Sequence, residues 1–565
     1  MGKKIILLFS AVLVVTFLQA QSFTDGGQVH GNFGIDAQYY QTDEKLGITD
    51  STLDGEMYGM NAFGKLVYTN GNFSAGLRYE AYLPPLKGFD RRYEGQGVPY
   101  WFARYKWENV DITVGHFYEQ FGNGLVLRSY EEWTLGVDNS INGARVIFNP
   151  SKGITMKALA GTQRFFWEPY RDKNRGIIKG FDTELYLNDI IKGFEGSKTR
   201  ILLGGSFVSK YEQTAEKTLV RDTTQYVYKM PDNVAAWAGR MNLIHGGWNL
   251  TTEYARKIND PSAMNNFIYK PGEALFASLS YSTRGLGLVL AAKRIDNMSY
   301  KSDILEESNA LDINYLPPLT KQHVYSLATI YPYATQPNGE MGIQAQMIYT
   351  IPRNTFLGGK YGIKIELDYS KINALDKDRI SPGIPIDSTG TLGYESDFFA
   401  FGDIKYFRDL SVNLSKKFSR TYKVIAGYSN LKYNIDVIEG HPGEPIVNAH
   451  IGILDMTWKL SRRHSLRTEF QALFSEEDRG DWAMALIEYN IAPKWFFSLM
   501  DEYNYGNPDE DMQLHYYSGA IAYVKGSTRF SVSYGRQREG LLCVGGVCRQ
   551  VPASNGFTLN ITSSF

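Results

Sequence analysis

Cysteine is nearly absent: Cys543 and Cys548 are the two in 565 residues. So few thiols exclude a scaffold built on disulfides, and a zinc site at this pair would need two further ligands, with no histidine near in sequence. The eight histidines, among them His116, His245, His323, His441 and His515, are scattered and form no HExxH pair or other metal spacing. No phosphate loop, GxSxG elbow or dinucleotide fingerprint occurs in a strand–turn–helix context. No catalytic residue, metal or cofactor is therefore assigned, and the chain reads as non-enzymatic. An excess of one charge is also missing. The 59 basic and 60 acidic residues leave a formal net charge of −1, with no basic stripe for nucleic acid. Long apolar runs are lacking after the first twenty residues. The greasiest later stretch, Leu286 to Ala292, falls far short of the roughly 20 residues that a spanning helix needs.

Those first residues, Met1 to Ala20, read as a secretory signal peptide: Lys3 and Lys4 precede an apolar core from Ile5 to Leu18, with cleavage expected after Ala20. Cysteine does not follow the cut, so no lipoprotein anchor is expected. What the rest has in abundance is aromatic residues, 14% including 39 Tyr, with a negative mean hydropathy. Spanning helices do not give that combination. A barrel does, because every second residue faces the lumen and the membrane interfaces are ringed with Tyr and Trp.

The last stretch carries the pattern most clearly. Phe557, Leu559, Ile561 and Phe565 fall on one side of an extended strand, and Thr558, Asn560, Thr562 and Ser564 on the other. Near the start, Ala62 to Tyr68 and Phe73 to Ala81 alternate on either side of Asn70-Gly71, a strong hairpin signal because both turn residues tolerate positive φ. Lys65, Arg78 and Glu80 then point inward, where charge is tolerated, as does Lys157 further on. Similar tight turns recur at Asn149–Gly153, His245–Gly247, Ser282–Gly285 and Lys525–Thr528. Longer polar connections lie between them: Gln41–Asp54, Lys87–Gly97, Glu212–Asp232, Ile258–Tyr269, Asn297–Lys321, Asn373–Glu395 and Arg536–Asn555. The expected fold is all-β: a single-chain antiparallel transmembrane β-barrel over residues 21–565, with about 24 to 26 strands. The strand count loses phase between Tyr331 and Asp403, so the side of Ile351–Lys360 stays open. The first strand, Gln28 to Tyr40, begins too soon after the signal to leave room for a folded plug domain ahead of it.

Three features stand out. Gln120 to Gly143 is too apolar for an ordinary surface loop, with Leu125-Val126-Leu127 and Trp133 beside Arg128, Glu131 and Glu132. It either folds inward and constricts the lumen, with Arg128 and the two glutamates setting a local field, or simply extends two strands above the membrane. Cys543 and Cys548 close a small ring through Gly545-Gly546 and read as a structural disulfide. Acidic clusters at Glu306-Glu307, Glu476–Asp478 and Asp509–Asp511 lack calcium-loop spacing and read as solvated faces.

Together, the export signal with Gln21 after Ala20, the strands that start at once, Gly122-Asn123-Gly124, the Cys543–Cys548 ring and the terminal Phe565 resemble a functionally uncharacterised family of large Gram-negative outer-membrane β-barrel proteins. The resemblance implies location in the outer membrane, contact with its lipid and lipopolysaccharide, and a terminal Phe565 read by the barrel-insertion machinery. It implies no catalytic residue. Two function classes follow: a porin-like pore partly occluded by loops, or a barrel subunit of an outer-membrane secretion, insertion or surface-attachment complex with protein partners.

Overall fold

Period-two alternation governs most of the chain, and a strand with one apolar and one polar face is stable only where those faces meet different surroundings. In the computed structural model, which describes residues 26–53, 55–167, 176–213, 217–221 and 224–565, such strands form one closed wall. The expected export signal at residues 1–20 lies outside the described residues. Twenty-four strands, each antiparallel to its neighbours, follow one another around the barrel in chain order. It closes where the last strand, Ser554–Ser564, pairs with the first, Gln28–Tyr40, with Ile561 opposite Ile35.

One end of the barrel carries both ends of the described chain and the tight turns, such as Asn70 to Phe73, His245 to Trp248 and Lys525 to Thr528. The long connections gather at the other end. Ile351 to Ile363 lies with the tight turns. The phase was hidden there because the following strands are unusual. Tyr394–Lys417 runs for 24 residues, and its pairing with Ile363–Arg379 shifts register three times. The connections are correspondingly shorter than expected: strand structure resumes at Gly95, and the link after Arg379 ends at Tyr394. The connection after Gln537 contains a ribbon, Gly540–Val544 against Val547–Val551.

The outer face is lipid-like. Leu290 (58% exposed), Leu499, Ile521 and Phe557 project from it singly along their strands. Paired rings mark its tight-turn rim: Trp248 with Tyr281 and Trp495 with Tyr523, tilted and both at 4.6 Å between centroids, and Tyr422 stacked with Trp458 at 5.1 Å. Such a belt suits a membrane interface, where an amphipathic ring meets both lipid and water. Strands about 4.8 Å apart and tilted by about 40° give twenty-four of them a circumference of roughly 150 Å and a radius of roughly 24 Å. Wall side chains cannot fill that width. Two large apolar clusters nevertheless lie buried inside the barrel, built partly from inward wall positions and partly from connections that fold into the lumen.

Candidate functional site

The largest inward connection joins strand Leu286–Asp296 to strand Glu340–Ile351. It is rich in large apolar and aromatic residues, and Tyr300, Ile313, Leu319, Leu327, Tyr331 and Tyr333 are all buried. It forms almost no regular structure, so its backbone and side-chain polar groups need other partners, most of which the wall strands supply. Tyr300 OH donates to the Val234 carbonyl (2.8 Å), Lys210 Nζ to the Lys301 carbonyl (2.8 Å) and Lys293 Nζ to the Pro317 carbonyl (2.6 Å). Further along, His323 Nε2 meets Asp409 at 2.8 Å, Leu327 N–H donates to Gln471 Oε1 (3.0 Å), and Tyr331 OH donates to Asp478 (3.0 Å). These anchors run from the wall strand Thr199–Tyr211 to His464–Phe474, so the segment crosses the lumen. The polar inner face holds this segment as well as facing water.

Asn297–Lys321 is therefore no external polar loop, as the sequence suggested. Its signal was of the same kind as at Gln120–Gly143: Ile313, Tyr315, Leu316 and Leu319 cluster in it, and Tyr325 and Leu327 follow just beyond.

The connection between strands Val110–Phe117 and Ile141–Ser151 also enters the lumen. Phe121, Leu125, Val126 and Leu127 are buried, and the pairing within it is confined to a bridge between Gln120 and Arg128 and a short ribbon, Glu131–Glu132 with Val137–Asp138. Asn123 donates from its backbone N–H (2.6 Å) and its side chain (2.8 Å) to Glu253 on the wall. Gly122 (φ 53°) allows this approach, since a Cβ there would collide with the Glu253 carboxylate. Arg128 N–H donates to the Ile313 carbonyl and Tyr315 N–H to the Gly124 carbonyl, joining the two inward segments.

Arg128, Glu131 and Glu132 do not converge. The Arg128 guanidinium lies over the rings of Tyr315 (3.9 Å) and Tyr130 (4.7 Å). Glu132 accepts from Thr134 Oγ1 (2.6 Å) in a local turn. Glu131 joins a charge cluster that sequence reasoning did not find. It pairs with Arg78 and accepts from Tyr118 OH (2.9 Å). Arg78 also binds Glu80 (2.6 Å) and Asp138, and Arg164 binds Glu80 (2.7 Å) and Asp138 (2.5 Å). Burial works to raise the Asp138 carboxyl, but Arg164 and Arg78 overcome it and hold the group well below the usual carboxylate range. The cluster rivets the inward loop to strand Phe73–Tyr82.

A second anchor behaves oppositely. Glu212, just past strand Thr199–Tyr211, accepts from the Ile304 N–H (3.2 Å) and lies 3.7 Å from Lys210. Burial pushes its carboxyl from 4.5 up to about 7; Lys210 and the Ile304 N–H oppose this, while Asp303 and Asp260 reinforce it. Because the folded protein binds this proton more tightly, the contribution to stability is full below the unfolded value and is lost as pH rises through about 7. Glu212→Gln is thus expected to match the parent at pH 4 and to exceed it at pH 8, by roughly 3 kcal/mol at most. Urea unfolding at the two pH values checks this, and equal midpoints at pH 8 would contradict it.

Cys543 and Cys548 form a disulfide across the ribbon's tip. The Gly545 carbonyl accepts from Tyr315 OH (2.6 Å), the Gly546 carbonyl from Thr335 N–H (3.0 Å), and the Cys548 carbonyl from Asn309 (2.6 Å). The ribbon thus rests on the lumen-crossing segment. Phe565 pairs through its backbone with Gly31 on the first strand (2.9 Å in each direction). Among the described residues no group of three or more His, Cys, Asp or Glu could hold a metal ion.

A family model described as "Family of unknown function (DUF6029)" matches residues 1–565. No curated protein matches the sequence. Among solved structures, a chain of the Escherichia coli P pilus tip assembly intermediate PapC-PapD-PapK-PapG is 9% identical, with a TM-score of 0.46, covering 97% of this chain and 62% of its own. The ferric enterobactin receptor of Pseudomonas aeruginosa is 10% identical (TM-score 0.41; 95% and 80% covered), and so is that organism's siderophore receptor PirA (TM-score 0.39; 96% and 81%). Likeness at this level bears on neither ligand nor partner.

Proposed function

The chain belongs to the DUF6029 family, a family of unknown function, and we propose that it is a non-enzymatic outer-membrane channel of the porin-like kind, held shut by its own inward segments. The observation that carries this reading is the lumen-crossing segment, which is continuous with two strands and is held both by apolar packing in the two interior clusters and by hydrogen bonds and ion pairs to the wall. On the tight-turn side of it, inner-face residues such as His30, Asn32 and Asp36 are exposed, as in a water-filled vestibule.

Single-channel recording from the purified protein in a planar bilayer tests the reading. Long closed intervals broken by small steps are expected. A stable, large, ohmic conductance from the intact protein would sink the idea that the segments occlude it. One observation favours the assembly-subunit reading instead: the strand pair ending at Arg379 and beginning at Tyr394 carries Phe399, 86% exposed, on its irregular part. A large apolar side chain left in the open suits a protein partner, and co-purification that is lost in Phe399→Ser would support it.

A further inference from the structure

The inward segments do not fill the lumen completely. A cavity of about 700 Å³ remains between the crossing segment and the wall formed by strands Trp495–Tyr503, His515–Lys525 and Thr528–Gln537, with the disulfide ribbon as its roof. That volume lies within the range of small-molecule sites, roughly 300–1,000 Å³. Tyr331 from the segment and Phe407 and Tyr516 from the wall present aromatic surface to it.

Its charges are unevenly matched. Arg536 is held by Asp43 through two hydrogen bonds of 2.6 and 2.9 Å, and His323 by Asp409. Arg538 has only Glu502, at 3.6 Å, and its guanidinium makes no hydrogen bond among the described residues. Lys321, also on the lining, has no carboxylate within ion-pair distance among the described residues. A guanidinium with free donors in a partly enclosed cavity is poised for a carboxylate, whose two oxygens match its fork.

We propose that this cavity binds a small organic anion, a carboxylate carried on a flat apolar body. Arg538 takes the carboxylate, Lys321 adds to the positive potential, and the rings of Tyr331, Phe407 and Tyr516 cover the apolar part. That the anion is cargo rests on the channel reading; that it binds does not.

Equilibrium dialysis of benzoate against the full-length barrel in phosphatidylcholine nanodiscs tests the site, with empty nanodiscs subtracted for partitioning. Benzamidine, the same ring bearing a cation, is the comparison probe. Saturable benzoate binding is expected, with benzamidine excluded. Arg538→Gln is expected to weaken benzoate about tenfold, the loss of one charge-assisted contact, and Lys321→Gln by a smaller factor. Equal uptake of the two probes, or no benzoate binding at all, overturns the proposal. So does unchanged benzoate affinity in a correctly folded Arg538→Gln barrel. If that variant loses its heat-modifiable mobility, Lys321→Gln decides alone, and an unchanged affinity there overturns the site. Benzoate binding by a barrel that never conducts would leave the site standing and remove the channel.

Discussion

Replacing Asp303–Pro332 by a short glycine–serine linker is expected to convert a nearly silent barrel into one that conducts in large, stable steps. The deleted stretch supplies Ile313, Leu316, Leu327 and Tyr331 to the two interior clusters and forms the anchors at Asp409, Gln471 and Asp478. A wall of roughly 24 Å radius encloses a wide cross-section once it is removed, and the side chains left on that wall are too short to bridge it. Conductance follows the open cross-section, so an increase on the order of tenfold is expected. The wall's own hydrogen bonds are untouched, and a heat-modifiable band on a denaturing gel checks that the barrel still closes. A folded but silent variant would mean that the lumen is not a conduit.

Arg164→Met carries the second large effect, on stability. Arg164 and Arg78 together pair with Glu80, Glu131 and Asp138, and both arginines and Glu80 are almost fully buried. Removing one guanidinium leaves three carboxylates around the other. Breaking a buried pair from one side costs about 3–5 kcal/mol, because the remaining charge keeps its desolvation penalty and loses its partner. Adding Glu80→Gln to Arg164→Met is expected to recover part of the loss. The sign also depends on pH. Asp138 is held in its ionised form, so its contribution is present above the ordinary carboxylate value and disappears as pH falls through the folded one. Urea midpoints that are unchanged at neutral pH would show that the cluster does not hold the loop.

Much of this molecule was legible because a barrel strand writes its two faces directly into alternate positions. The closing strand shows it: Phe557 and Leu559 lie on the exposed outer face, while Thr558 and Asn560 face inward to Gln38 and Asp36. The tight turns were equally plain, since Asn70-Gly71 needs only local chemistry. The lumen was harder for two reasons. An inward loop has no period, so only its composition marks it, and between Asn297 and Gly339 acidic residues such as Glu306 and Glu307 masked the apolar ones. The charge cluster joins Arg78, Glu131, Asp138 and Arg164, four residues on three chain segments whose proximity only the closed wall creates. Arg128 and Glu132 were singled out for charge alone and proved to serve a ring stack and a turn.

The seam between the last strand and the first also governs the order of events in assembly. Gln38 donates to Thr558 Oγ1 at 3.2 Å across 520 positions. At equilibrium such a distance is cheap, since closing a loop that long costs only about 3–4 kcal/mol more than closing a ten-residue turn. The difficulty is one of time. Until the final strand has been made and delivered, both terminal strands are raw edges able to pair with any passing chain. Closure of the seam is therefore the step at which both edges lose their unpaired backbone groups.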